Sequence, residues 1–339
     1  MPKPTPQNSL DADADEDAVL EAMTEPIEAT WRAKQKFLES KGYMLRPRYH
    51  QGWKPSWEGT GKEKAQCEDS IPLPLRKNLI DATRTSDNKL VYIKRVEPDD
   101  VETRIALMLS SDDARRDPRN HAVPVLDHFE NDADSAYLVM PLLRALDDPP
   151  FLRVGDMLEF CDQVLEGLVF QHEKGVAHRD CSYRNIMMDA TSLYPDGYHP
   201  VNTTTLPDGV TPVIPLPRST HPVTYYYIDF GISVVVPAYA RGERRLVEGD
   251  DGQDRAAPEL HTEEAYDPFA LDVFLVGDLL KRNFLDVFSD VEFLRPLVSE
   301  MMREDPSSRP GAREVLSRWK QVRKDVDGVK ELRSRPKES

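Results

Sequence analysis

Three short strings stand in fixed order near the middle of this 339-residue chain: His178-Arg179-Asp180 with Asn185 following, then Asp229-Phe230-Gly231, then Ala257-Pro258-Glu259. Residues of these types can do one demanding piece of chemistry together. Moving a phosphoryl group from ATP needs a carboxylate near the attacking hydroxyl, two groups that hold Mg²⁺, and a cation on the phosphates. Any one of the tripeptides is common, whereas the ordered set is specific. A candidate for the cation precedes them. Leu90-Val91-Tyr92-Ile93-Lys94 alternates as a buried strand does and ends on a lysine. Without the downstream strings, Lys94 would read as an ordinary strand-end lysine in solvent.

The set resembles the eukaryotic protein kinase family. The resemblance implies Asp180 as catalytic base, Asn185 and Asp229 as metal ligands, and Lys94 on the α- and β-phosphates, with ATP and Mg²⁺ as cofactors. It also implies a glutamate partner for Lys94 on the next helix. Glu102 fits, one turn before the apolar residues Ile105 to Leu107. Glu97 fits less well, because Pro98 follows it. Ala82 takes the place of the alanine that packs on adenine. Met140 would be the gatekeeper, and the Pro141 C=O and Leu143 N–H would meet the adenine edge.

The chain departs from the family in several places. The stretch Leu73 to Ala82, where a glycine-rich phosphate loop belongs, contains no glycine, and a loop bearing side chains approaches phosphate less closely. Arg76 and Lys77 either compensate with charge or are simply solvated. Ser182 stands where serine/threonine kinases place a lysine. Arg184 comes immediately before Asn185, as in tyrosine kinases, and could stabilise charge developing on the transferring group. That single arginine does not set hydroxyl specificity, and Ser or Thr is expected ahead of Tyr. Gly252 takes the place of the threonine that shapes the substrate loop.

Arg179 marks kinases whose activation segment is ordered by a phosphate. The segment from Ile232 to Ala256 has few acceptors, with Ser233 placed early and Tyr239 the other hydroxyl, and it carries the acidic run Glu248 to Asp254. Either one of these carboxylates pairs with Arg179 in place of a phosphate, or the run is a solvated loop. Glu259 and Arg309 match the family's buried ion pair, and Asp272 matches the aspartate that holds the catalytic-loop backbone. Aminoglycoside and choline kinases share the metal groups but generally lack the Ala-Pro-Glu string and its arginine, so the resemblance favours a protein substrate.

The elements that would position these residues are legible in outline. Gly155 to Glu173 has apolar residues at helical spacing and stops before Gly175. Ala136 to Met140, Ile186 to Met188 and Tyr225 to Ile228 read as strands. Residues 190–224 form a long insertion rich in Pro and Thr, of the kind that is functional or mobile. The fold expected is α+β and bilobal, with a β-rich N-lobe over 71–142 and a mainly helical C-lobe over 143–325. An acidic disordered tail (1–27) and a helical, aromatic extension packing on the N-lobe (28–70) would precede it. A charged tail (326–339) would follow.

Net charge is −16 and mean hydropathy −0.57. The acidic balance, dense at Asp11, Asp13, Asp15, Glu16 and Asp17, argues against nucleic acid or an anionic membrane as partner. The aromatic-basic stretch from Tyr43 to Trp57 reads as packing on the N-lobe, with a nucleic-acid-binding arm as the alternative. No apolar run reaches the roughly 18 residues that span a bilayer, and no signal peptide opens the chain. Cys67, Cys161 and Cys181 have neither metal spacing nor a disulfide framework, which suits the cytoplasm or nucleus. The opening, the Tyr194 to Pro200 string and the core together are similar to a group of fungal kinase-like proteins. The sequence thus predicts a Mg·ATP-dependent protein kinase. The alternative is a kinase-like pseudokinase scaffold, which the missing glycines favour and the intact Lys94, Asp180, Asn185 and Asp229 oppose.

Overall fold

Apolar alternation along the strand that carries Lys94 builds the first of two compact units. In the computed structural model, residues 8–74, 76–132, 135–239, 242–249 and 251–335 are described, with side chains from residue 23 onward, that of residue 132 excepted. The first unit comprises residues up to Glu97, Leu126–Leu142 and Tyr194–Ile214. It holds α1 (Asn8–Ser40), β1 (Tyr43–Met44), β2 (Leu79–Arg84), β3 (Lys89–Val96), β4 (Asp127–Asp132) and β5 (Ser135–Pro141). The strands form one antiparallel sheet in the order β1-β2-β3-β5-β4.

Period-two alternation divides this sheet into two faces. Ile80, Ala82, Val91, Ile93, Tyr137 and Val139 are buried on one face with Ile27, Trp31 and Leu38 of α1. The helix starts at Asn8, so the acidic stretch from Asp11 to Asp17 is helical rather than disordered. Alternating alanines are the strongest helix formers, and acids near a helix N-terminus complement its dipole. Residues 1–7 of the expected tail lie outside the described residues.

The aromatic-basic stretch is part of this unit. Buried Arg48 pairs with buried Glu28 at 2.9 Å and donates to the Asp69 carbonyl at 3.1 Å. Asp69 accepts from the Trp53 indole and the Ser56 backbone, both at 2.9 Å. Part of the long insertion belongs here too. His199 Nδ1 accepts from the Val201 and Asn202 amides, so its Nε2 donates to Glu68 Oε1 at 3.1 Å.

The second unit comprises Pro98–Val125, Leu143–Leu193 and Pro215–Ser339. Its elements are α2 (Val101–Ser110), α3 (Asp112–Arg115), β6 (Arg144–Ala145), α4 (Val154–Glu173), β7 (Val176–Ala177), β8 (Ile186–Asp189), β9 (Thr224–Tyr227), β10 (Val234–Val235), α5 (Pro268–Leu280), α6 (Arg295–Met301) and α7 (Ala312–Arg323). The segment with α2 therefore groups with the C-terminal unit, not with the sheet as the expected boundaries had it. Strands β6-β8-β9 form one small sheet and β7-β10 another. Met157, Phe160, Val164 and Leu168 line the buried side of α4. The helix ends before Gly175, whose φ of 76° and contact with the Val236 carbonyl leave no room for a Cβ.

The expected charged tail is fastened to this unit as far as Arg335. Gly155 and Val154 donate to the carbonyls of Gly328 and Lys330 at 2.8 Å, and Arg333 pairs with Asp290 at 2.6 Å. Residues 336–339 lie outside the described residues. Among the described residues no helix is long and apolar enough to cross a membrane.

Trp31 is 1% exposed and meets the Tyr137 ring at 6.4 Å. Trp31→Ala is expected to lower the unfolding free energy by about 3–5 kcal/mol in urea titration. A loss under about 1 kcal/mol would show that α1 is not part of the sheet's core.

Candidate active site

A buried carboxylate organises the loop between β7 and β8. Asp272 of α5 is fully buried and accepts from the backbone amides of His178 (2.8 Å) and Arg179 (2.6 Å) and from His172 Nε2 (3.0 Å). These bonds hold Arg179 at φ 68°, a left-handed conformation that costs a non-glycine residue about 1–3 kcal/mol. His178 contacts the Ile228 carbonyl through Nε2 at 3.0 Å and accepts the Asp180 amide on Nδ1 at 3.3 Å.

The turn brings Asp180 and Asn185 into contact, with Asn185 Nδ2 donating to Asp180 Oδ2 at 2.7 Å and to its carbonyl at 3.1 Å. Asn185 and Asp229 flank a paired β8-β9 ladder, since Ile186 opposes Tyr227 and the Ile228 amide donates to the Asn185 carbonyl at 2.9 Å. Asp229 is itself left-handed at φ 64°. Glu102 sits in the first turn of α2, which Asp100 caps by accepting from the Thr103 amide. A Cβ placed on Gly231 would lie 3.3 Å from Asp229 Oδ1 and 3.8 Å from Glu102 Oε2, so both carboxylates approach the same glycine.

Arg179 is engaged mainly by the backbone of the following segment. Its guanidinium donates to the carbonyls of Ile232 (3.0 Å), Glu248 (2.8 Å) and Gly249 (3.2 Å) and to the Tyr266 hydroxyl (2.9 Å). Among the described residues no carboxylate pairs with Arg179, and Glu248 and Asp251 are exposed, so the acidic run is the solvated loop of the two alternatives; Asp250 lies outside the described residues.

Sequence reasoning missed Gln253. Its amide donates to Asp180 Oδ1 at 2.8 Å, and its side-chain Nε2 approaches Asp180 Oδ2 at 3.4 Å and Asn185 Oδ1 at 3.3 Å. Gly252 permits this approach, as a Cβ there would come within 3.1 Å of the Arg179 carbonyl. The available signal was position, since Gln253 adjoins the place of the family's threonine. Arg184 is exposed on the same loop. Cys181 is buried and its thiol is pushed well up by that burial, as suits a core residue. Glu259 and Arg309 form a bidentate buried pair at 2.5 and 2.7 Å, and Arg309 also donates to the carbonyls of Arg303, Ala270 and Glu304.

Lys94 belongs to the first unit, where register corrects one expected neighbour. Lys94 opposes Leu79 and Leu138, and on the same face Tyr92 opposes Asp81 and Met140. Ala82 opposes Val91 and so projects from the other face, into the core against α1. Ala82 is therefore absent from the Lys94 face, where Tyr92 stands with Asp81 opposite. Burial pushes the Tyr92 hydroxyl up to about 12, with the Asp81 charge adding to it. Asp81 is itself paired with Arg46 at 2.8 Å, and Arg46 with Glu68 at 3.1 Å. Met140 lies on the Lys94 face. Pro141 ends β5 opposite Val91, and Leu143 is buried in the second unit. Leu75 of the glycine-free stretch lies outside the described residues.

The chain matches no protein-family model, and no curated protein matches it in sequence. No cluster of three His, Cys, Asp or Glu able to hold a metal occurs among the described residues. Two protein oxygens are enough for a Mg²⁺ ion that keeps water and phosphate ligands.

Beside Gln253, burial and the Asp254 carboxylate push Asp278 up to about 7, with Arg282 and Lys281 opposing the shift. Between about pH 4, where the unfolded carboxyl titrates, and about pH 7, the folded protein holds a proton that the unfolded chain releases. Stability from this group is full at low pH and is lost as pH rises through that window. The melting temperature of Asp278→Asn is therefore expected to change less between about pH 5 and about pH 8 than that of the wild type. Identical pH profiles would show that the fold does not hold Asp278 protonated.

Proposed function

We propose that this chain is a bilobal protein kinase of the eukaryotic type, transferring the γ-phosphoryl group of Mg·ATP to a protein hydroxyl, Ser or Thr in preference to Tyr. The observation that carries the reading is the loop anchored on Asp272, in which Asp180 and Asn185 touch each other and both meet Gln253. Asp180 has the chemistry to orient a hydroxyl and accept its proton, and its Oδ1 is held by the Gln253 amide. Asn185 and Asp229 would hold Mg²⁺, with Lys94 as the cation for the phosphates and Glu102 as the acidic residue of α2 that the reading requires. Bound Mg·ATP supplies the phosphoryl group and the neutralising charge. Arg184 is available to stabilise charge on the transferring group. The bidentate Glu259–Arg309 pair braces the segment that, by resemblance, docks a protein substrate.

A specific observation favours a second reading, a kinase-like scaffold with weak or no turnover. The Lys94 face of the sheet carries Tyr92 and the Asp81–Arg46 pair, and the stretch before β2 lacks glycine.

The deciding experiment follows phosphate from Mg·[γ-³²P]ATP into the protein itself, a generic acidic protein and a generic basic protein. Asp180→Ala is expected to reduce incorporation on the order of 10²–10⁴-fold. No incorporation by wild type would overturn the enzyme reading. If ATP still raised the melting temperature, the scaffold reading would replace it.

A further inference from the structure

Tyr266, buried just before α5, touches both the loop of Asp180 and the segment after Asp229. Its hydroxyl accepts from Arg179 Nη2 at 2.9 Å and from Nε at 3.3 Å, and donates to the Gly249 carbonyl at 2.7 Å. The Arg179 guanidinium lies 5.8 Å from the centre of its ring. Its backbone exchanges two hydrogen bonds of 2.9 Å with Val247. One tyrosine thus grips the segment at Val247 and Gly249 and the loop at Arg179.

The other guanidinium donors of Arg179 go to the carbonyls of Ile232, Glu248 and Gly249. Each of its three side-chain nitrogens has an acceptor, and none of those acceptors is a carboxylate. No buried nitrogen of Arg179 is left orphaned to draw in an anion.

From Ile232 to Ala256 the sequence offers two hydroxyl groups, on Ser233 and Tyr239. Arg179 bonds neither of them. Ser233 is buried and donates to the His178 carbonyl at 3.0 Å, a bond that a phosphate there would break. The Tyr239 ring stacks on Phe269 with centroids 3.5 Å apart. Shortly beyond Gly249 the same stretch reaches Gln253, whose amide holds Asp180 Oδ1 at 2.8 Å.

We propose that Arg179 and Tyr266 form a latch that orders this segment without phosphorylation, so that Asp180 is positioned in the unmodified chain. Tyr266 acts through the segment and Gln253, as a positioning residue. The ordering of the segment stands apart from the kinase reading, and only its consequence for phosphate transfer rests on that reading.

The full chain, made in bacteria, is treated with phosphatase, and its intact mass confirms the phosphate-free state. Hydrogen exchange is then followed by mass spectrometry in peptides containing Val247 and Gln253. These are expected to exchange about 10-fold or more slowly in the phosphate-free wild type than in Tyr266→Phe, which removes only the hydroxyl. Arg179→Lys keeps the charge without the fork and is expected to speed the same peptides. Fast exchange in the phosphate-free wild type overturns the proposal, as does exchange unchanged by both variants. A rise in α4 as large as that in the segment also overturns it, because the pair would then hold the whole unit.

Transfer from Mg·ATP to a generic basic protein is timed with the same phosphate-free chain. Incorporation is expected to be linear from the start, and Tyr266→Phe is expected to lower kcat about 3- to 10-fold with the KM for ATP unchanged. An unaltered kcat beside faster exchange overturns the positioning of Asp180. A lag that ends as phosphate appears on Ser233 or Tyr239 overturns the proposal and upholds the kinase reading. Slow exchange without any transfer leaves the latch standing and removes the kinase reading.

Discussion

The buried carboxylate of Asp272 is the constraint on which the candidate site depends. An ionised group taken fully out of water is tolerated only when donors replace its hydration. Here two consecutive loop amides and a histidine nitrogen do so. That requirement works in both directions. The donors satisfy the carboxylate, and the carboxylate fixes the backbone of His178 and Arg179, left-handed φ included. Asp180 and Asn185 follow as neighbours in space because the chain between them turns from that anchored point into β8.

A second layer of bonds then ties the segment after Asp229 to the same loop. The Ser233 hydroxyl donates to the His178 carbonyl at 3.0 Å, and Arg179 draws in the carbonyls of Ile232, Glu248 and Gly249. Carbonyl acceptors do not depend on a phosphate or on any particular side chain, so this order is built into the backbone path. Gln253 closes the arrangement from the far end of the segment. The Glu259–Arg309 pair, fully furnished with acceptors, fixes the point where the segment rejoins the helices. A buried ion pair of this completeness specifies geometry more than it adds stability.

The first unit is governed by a different constraint, the two-sidedness of its sheet. One face buries apolar residues against α1. The face with Lys94 is polar around Asp81, where Arg46, Glu68 and His199 join the extension to part of the insertion. Long segments that carry few apolar residues of their own are held here by charged and hydrogen-bonded contacts. This accounts for an insertion that is ordered although its sequence has no regular period.

Local patterns in the sequence settled much by themselves. The helical spacing from Met157 to Leu168 with its glycine stop, the alternation of β3 and the short strands beside the motifs all appear as read, because each depends on residues close in the chain. The identities of Asp180, Asn185, Asp229 and Asp272 were legible for the same reason, since their types and order are visible without a fold. Tertiary structure alone decided which residues meet. The face taken by Ala82 depends on the register of β2 against β3, and a one-residue slip reverses every side chain. The Gln253–Asp180 contact joins residues 73 apart, and Glu68–His199 joins residues 131 apart. No local period encodes such pairs. They exist because buried polar groups must find partners wherever the completed fold brings them.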